Sequence, residues 1–145
     1  MDKITWGKFA HYHYDDQDLA ATPDLEFPFV PGSRFRAVNT GIDEPALQVN
    51  LEDFFKGTDI LWTLAHDEVH FVIQGECEIE YALPPLMLER GTVTVRAGST
   101  YYLPKGCRVV WRVLSEAPFR HFCYCFPNPG YPIPVARSKH AESVR

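Results

Sequence analysis

The sequence predicts an all-β protein, a barrel or sandwich of short strands, and three observations carry that prediction. Runs of β-branched and aromatic residues recur at short, even spacing along the 145 residues. The breaks between them carry Gly, Pro, Asn or Asp, and 12 prolines and 9 glycines are enough turn formers to interrupt any longer element. No stretch has the 3.6-residue apolar period of an amphipathic helix of ordinary length. Closing such a sheet removes exposed strand edges, which makes a barrel or sandwich the expected arrangement.

Residues 1–31 read as an irregular N-terminal arm, with Trp6, Phe9, Tyr12, Tyr14, Phe27 and Phe29 interspersed among acids and prolines. Such an arm has anchors for packing across the domain or a neighbouring subunit. His11-Tyr12-His13 mimics a metal-ligand pair, but with Asp15 and Asp16 behind it this reads as a solvated segment. The barrel is expected over 32–135. Its strands are placed at Arg34 to Asn39, Ala46 to Leu51, Asp59 to Leu64, Glu68 to Gln74 and Cys77 to Ala82. Further strands follow at Met87 to Leu88, Thr92 to Val95, Ser99 to Leu103, Arg108 to Leu114 and Arg120 to Phe126. Residues 136–145 form a polar tail, expected to be disordered.

The net charge of −5, with no cluster of Lys or Arg, argues against nucleic acid or an anionic membrane as partner and in favour of small molecules. The start of the chain has no signal-peptide run, and no window reaches the roughly 18 apolar residues of a membrane span, so a cytoplasmic protein is expected. Cys77, Cys107, Cys123 and Cys125 lie in strand-like contexts rather than a loop-rich secreted framework, and are expected as buried or partly buried free thiols.

The segment His66-Asp67-Glu68-Val69-His70 carries most of the candidate chemistry. As helix, His66 and His70 would stack one turn apart as in a zinc protease; as strand, His66, Glu68 and His70 share a face. Strand is favoured, because Val69 to Ile73 are largely β-branched or aromatic and Gln74-Gly75 is a turn signal. The zinc-helix motif also needs Glu directly after its first His, where Asp67 stands.

Two motifs within roughly residues 35–127 resemble those of a single-domain cupin. The family's first motif ends in Glu, six residues and Gly, matched by Glu68 and Gly75. Its second runs Gly, five residues, Pro-x-Gly, matched by Gly98-Ser99-Thr100-Tyr101-Tyr102-Leu103-Pro104-Lys105-Gly106. Leu61-Trp62-Thr63-Leu64, Asp67-Glu68, Leu103-Pro104-Lys105-Gly106 and Trp111-Arg112-Val113 are similar to segments of the ethanolamine-utilisation (EutQ-like) and ureidoglycine-hydrolase-like cupins. The resemblance implies a double-stranded β-helix, the jelly-roll barrel, and, from the family's habit of exchanging edge strands, a dimer of such barrels, so a homodimer is expected. It also implies a metal held by His-x-His, Glu and His. Here Trp62, Leu64 and Val109 stand at or near the three histidine positions, and only Glu68 remains of that set.

With Glu68 inward, His70 and Val72 point inward too, while His66 sits in the turn at the barrel mouth and can swing towards them. Glu68, His70, His66 and His121 are then candidate ligands for one divalent ion, Mn, Fe, Ni or Zn. Without a metal, the carboxylate fixes the tautomer of His70, making it a candidate general base for removing a proton next to a carbonyl. Tyr101 or Tyr102, whichever faces inward, is the accompanying acid or oxyanion donor, and Tyr102 is taken as that residue. Trp62, Leu64, Val109 and Trp111 make the pocket apolar, and Arg36 is the candidate carboxylate clamp. By alternation Arg108 and Arg112 face away. His121, Cys123 and Cys125 share a face, with the thiols expected to pack as small apolar groups. The expected function is a small-molecule enzyme of lyase, isomerase or hydrolase type acting on a carboxylate- or carbonyl-bearing metabolite. The alternative is a non-catalytic ligand-binding or accessory cupin.

Overall fold

The computed structural model describes residues 6–136, so all of the expected tail except Ala136 lies outside the described residues. One short helix, α1 (Asp16–Ala20), interrupts the arm; Asp15 caps it by accepting from the Gln17 N–H. Nine strands follow: β1 (Phe35–Glu44), β2 (Leu47–Phe54), β3 (Ile60–Thr63), β4 (Asp67–Gln74), β5 (Glu76–Leu83), β6 (Glu89–Arg96), β7 (Thr100–Leu103), β8 (Arg108–Val113) and β9 (Phe119–Phe126). They form a five-stranded sheet in the order β1-β2-β9-β4-β7 and a four-stranded sheet in the order β3-β8-β5-β6. Every pairing between these strands is antiparallel. This is the expected all-β jelly roll.

Besides the short helix α1, β2 runs on to Phe54 and β6 begins at Glu89, and two further differences from expectation have clear causes. Met87 and Leu88 lie in the turn between β5 and β6 rather than in a strand, because Pro84 and Pro85 offer no N–H to a ladder and Met87 takes φ 59°. β1 runs on to Glu44, past an irregularity between Asn39 and Asp43 where Gly41 has φ 88°.

The main core fills the space between the sheets. Ile60, Ile79, Val109 and Trp111 of the smaller sheet face Phe35, Phe54, Val72 and Phe119 of the larger. A second cluster lies on the outer side of the larger sheet, where Leu19 of α1 packs with Val38, Leu51 and Ala136, flanked by Tyr12 and Phe122. The arm therefore covers this domain's own sheet. Two isolated bridges tie the flanking segments to β1, Leu25 to Phe35 and Asn39 to Val135.

Strand register sets the site. Glu68 pairs with Leu103 on one side and Cys125 on the other; His70 pairs with Tyr101 and Cys123; Val72 pairs with His121, which pairs in turn with Glu52. Because side chains alternate, these rows share the inner face of the larger sheet. The motif glycine Gly75 ends β4 at φ 87°, and a Cβ there would meet the Pro118 carbonyl oxygen at 2.8 Å.

Candidate functional site

Between the sheets lies a cavity of about 350 Å³. Its walls carry the rings of Phe27, Phe35, Phe54, Trp62, Trp111 and Tyr131, and its polar lining is Asn50, Glu52, Glu68, His70, Cys123 and Cys125, with Glu26 at the arm. Segments 25–28 and 131–134 cover it from outside the barrel.

Glu68 is the centre of the polar lining. Its Oε2 accepts from His66 Nε2 at 2.6 Å, and its Oε1 accepts from His70 Nε2 at 2.7 Å and from the Cys123 thiol at 3.2 Å. The Cys123 and Cys125 sulfurs lie 3.4 Å apart, and all four cysteines are free. The far side of His70 is equally committed. Trp111 Nε1–H donates to the Tyr101 hydroxyl oxygen at 3.0 Å, so the Tyr101 O–H is left to donate to His70 Nδ1 at 2.8 Å. His70 therefore carries its proton on Nε2, towards Glu68. Its ring is also clamped in a parallel stack between Trp111 (5.8 Å, 5°) and His121 (4.7 Å, 7°).

These contacts move the ionisations. Burial opposes charge on Glu68, but the bonds from His66 and His70, and then Cys123, outweigh it and hold the carboxyl well below the usual range. Burial likewise opposes protonation of His66, but hydrogen bonds to Cys125 and Glu68 raise it from 6.5 to about 9, so His66 is cationic at neutral pH. Burial pushes Cys123 well above its ordinary value and lowers His121. Because the folded value of His66 lies above the unfolded one, its contribution to stability is complete below pH 6.5 and is lost as pH rises through about 9. Urea unfolding is expected to show stability declining across that window. A His66→Gln variant should flatten the decline, and an equal slope in both proteins would contradict the pairing.

The structure brings together Glu68, His70 and His66, and places Trp62 and Trp111 in the cavity wall. It moves other residues. His66 is 5% exposed and pinned to Glu68, with its ring edge-on to Tyr131, rather than swinging at the rim. Tyr102 faces outward and donates to Asp67, because the pairing of His70 with Tyr101 sets the parity of β7; Tyr101 is the inward tyrosine. Leu64 and Val109 are core residues away from the cavity lining. Arg36 pairs with Asp24 at 2.6 Å outside the cavity and is no clamp for a bound carboxylate. His121 spends Nε2 on Glu52 at 2.9 Å instead of joining Glu68. Arg112 faces away, paired with Asp59.

Two sets of three donors, His66–Glu68–Cys125 and Glu68–His70–Cys123, have their donor atoms within 4.8 Å of one another. His121 belongs to neither. The first set leaves the Trp111–Tyr101–His70 relay intact, whereas binding through His70 Nε2 would displace its proton and reverse the bond to Tyr101. The thiols were the residues missed as partners of Glu68; the pairing of Glu68 with Cys125 and of His70 with Cys123 is what places them there.

The antiparallel jelly roll is the fold of the cupins, and the Glu68–Gly75 and Gly98–Gly106 motifs with the inward Glu68 resemble theirs. Among cupins the chain resembles EutQ: a model of the EutQ-like cupin domain matches residues 58–122. Acetate kinase EutQ of Clostridioides difficile (strain 630) is 24% identical, over 85% of this chain and 82% of that one. The crystal structure of a putative ethanolamine utilization protein from Salmonella typhimurium LT2 superposes with TM-score 0.55 at 17% identity, over 72% of this chain and 78% of that one. Oxalate decarboxylase of Bacillus subtilis gives TM-score 0.59 at 15% identity, over 90% of this chain but 32% of that longer one. No helix among the described residues is long and apolar enough to cross a membrane.

Proposed function

We propose that the protein is a small-molecule cupin enzyme in which Glu68 transfers a proton to and from a carbonyl-bearing metabolite, in isomerase, lyase or hydrolase chemistry. One observation carries this reading: a buried carboxylate, held by two imidazoles and a thiol, lines an otherwise largely aromatic cavity. Such a group is costly to bury without a task or a partner. His66 and Glu68 share one proton that is available below about pH 9. Passed through Glu68 to a carbonyl oxygen, it leaves the couple able to take a proton from the adjacent carbon. His70 has both nitrogens engaged, so it positions Glu68 rather than serving as the free base expected from its sequence neighbourhood. The carboxylate-bearing substrate is set aside with the loss of Arg36 as a clamp.

Exchange of α-protons with deuterated water, followed by NMR over a panel of small ketones and aldehydes, tests this. Wild-type protein should catalyse exchange of at least one compound, and Glu68→Gln should slow it by about 100-fold or more. Undiminished exchange in the folded variant, or none above buffer in the wild type, would sink the reading. A compound that is bound and stabilises the fold without exchange would favour the accessory role.

The converging donors favour a second reading, in which His66, Glu68 and Cys125 hold a divalent ion. A thiolate among the ligands suits zinc better than manganese, and the His70 bond to Glu68 Oε1 would orient that ligand from behind. When bound, such an ion supplies Lewis-acid polarisation of the carbonyl. Metal content of protein purified without chelators separates the two: an ion at one per chain favours the second.

A further inference from the structure

We infer that the cavity selects a ligand bearing an ammonium group on an apolar body. The inference rests on the proposed role of this cavity as the ligand site. Among the described residues, the charged groups lining it are Glu26, Glu52 and Glu68, set against the imidazole of His70, with no Lys or Arg. Glu52 is the group free for recognition. His121 Nε2 engages only its Oε1, at 2.9 Å, and His121 Nδ1 is buried with no partner, as fits an imidazole whose proton sits on the Glu52 side. Glu68, by contrast, already accepts from three donors.

Each ligand class fares differently here. An anion would meet the partly buried Glu52, whose charge no guanidinium or ammonium of the described residues offsets, since the cationic His66 is spent on Glu68 and Arg36 is paired to Asp24 outside the cavity. A neutral apolar molecule would cover Glu52 Oε2 without replacing its water. An ammonium answers both demands: it donates to Glu52, and the surrounding rings of Phe54, Trp62, Trp111 and Tyr131 attract it through their π-faces while they bury its hydrocarbon body. Glu52 lies on β2 opposite His121, which is opposite Val72, two inward positions along β4 from Glu68. The side chains converge, however: Glu52 meets His121 at 2.9 Å, the His121 ring stacks on His70 at 4.7 Å, and His70 meets Glu68 at 2.7 Å. The ammonium and the reacting carbonyl would therefore sit on one small molecule, as neighbouring groups.

Calorimetric titration with 2-phenylethylammonium, 2-phenylethanol and 3-phenylpropionate tests this, since the three share a ring and differ in charge. The ammonium should bind about tenfold more tightly than the alcohol, and the carboxylate most weakly. Glu52→Gln, which keeps an acceptor for His121, should weaken the ammonium to the level of the alcohol, and Glu52→Asp should preserve the ranking. Carboxylate binding equal to or tighter than ammonium, no binding of any probe, or unchanged ammonium affinity in folded Glu52→Gln would overturn the inference. If neither variant folds, the wild-type ranking decides. Ammonium selectivity without carbonyl proton exchange would sink the catalytic reading alone, and exchange without ammonium selectivity would sink this one alone.

Discussion

Replacing Glu68 with alanine is expected to cost about 3–5 kcal/mol, the range for removing one partner of a buried ionic network. The carboxylate receives His66, His70 and Cys123 in a site where His66 and Glu68 are each 5% exposed. Its removal strands a cationic His66 and leaves the His70 Nε2–H without an acceptor. The melting temperature should fall by on the order of 10 °C. Glu68→Gln should cost less, because an amide oxygen still accepts from one imidazole while the amide N–H group confronts the other. Urea denaturation of both variants checks the order; a loss under about 1 kcal/mol in Glu68→Ala would mean that water replaces the carboxylate.

Phe54→Ala is expected to cost about 3–5 kcal/mol. Phe54 is 2% exposed and meets the rings of Trp111 at 5.4 Å, His121 at 4.8 Å, Phe27 at 5.9 Å, Phe119 at 6.4 Å and Phe35 at 6.5 Å. It joins both sheets to the arm, and its loss also enlarges the cavity it lines. Phe9, 86% exposed, is the control: Phe9→Ala should change stability by less than about 0.5 kcal/mol. Equal effects at the two positions, measured by the same denaturation, would refute the role of Phe54 as the hub of the core.

Much of this was legible in the chain because a strand's period is two. Once Glu68 points inward, His70 and Val72 must follow, and both are buried. The turn glycines are legible for a similar reason, since Gly75 and Gly106 both take positive φ. Parity failed where neighbouring residues are alike: Tyr101 and Tyr102 are chemically equivalent in sequence, and only the pairing of β7 with β4 separates them. Arg36 was misread because its partner, Asp24, comes from an arm with no period to register it. The thiols depended on which strand lies beside which. Cys125 is 57 positions from Glu68 in sequence, and the placement of β9 between β2 and β4 makes them neighbours.

The two isolated bridges to β1 bear on timing rather than on shape. The segments covering the cavity are fastened there by four backbone hydrogen bonds: Leu25 N–H to Phe35 O at 2.8 Å, Phe35 N–H to Leu25 O at 2.9 Å, Asn39 N–H to Pro134 O at 2.7 Å and Ala136 N–H to Asn39 O at 2.7 Å. The barrel strands, by contrast, are held along whole ladders. Detaching a clip of two bonds is a smaller event than unfolding the sheets, and it occurs correspondingly more often. The residence time of a ligand is then expected to follow the lifetime of these clips, together with the Gln48 Nε2–H bond to Tyr131 O at 2.9 Å and the packing of Phe27 and Ile133 on the core, rather than the stability of the barrel. Since Tyr131 of the covering segment packs against His66, each opening also wets the group that holds the shared proton.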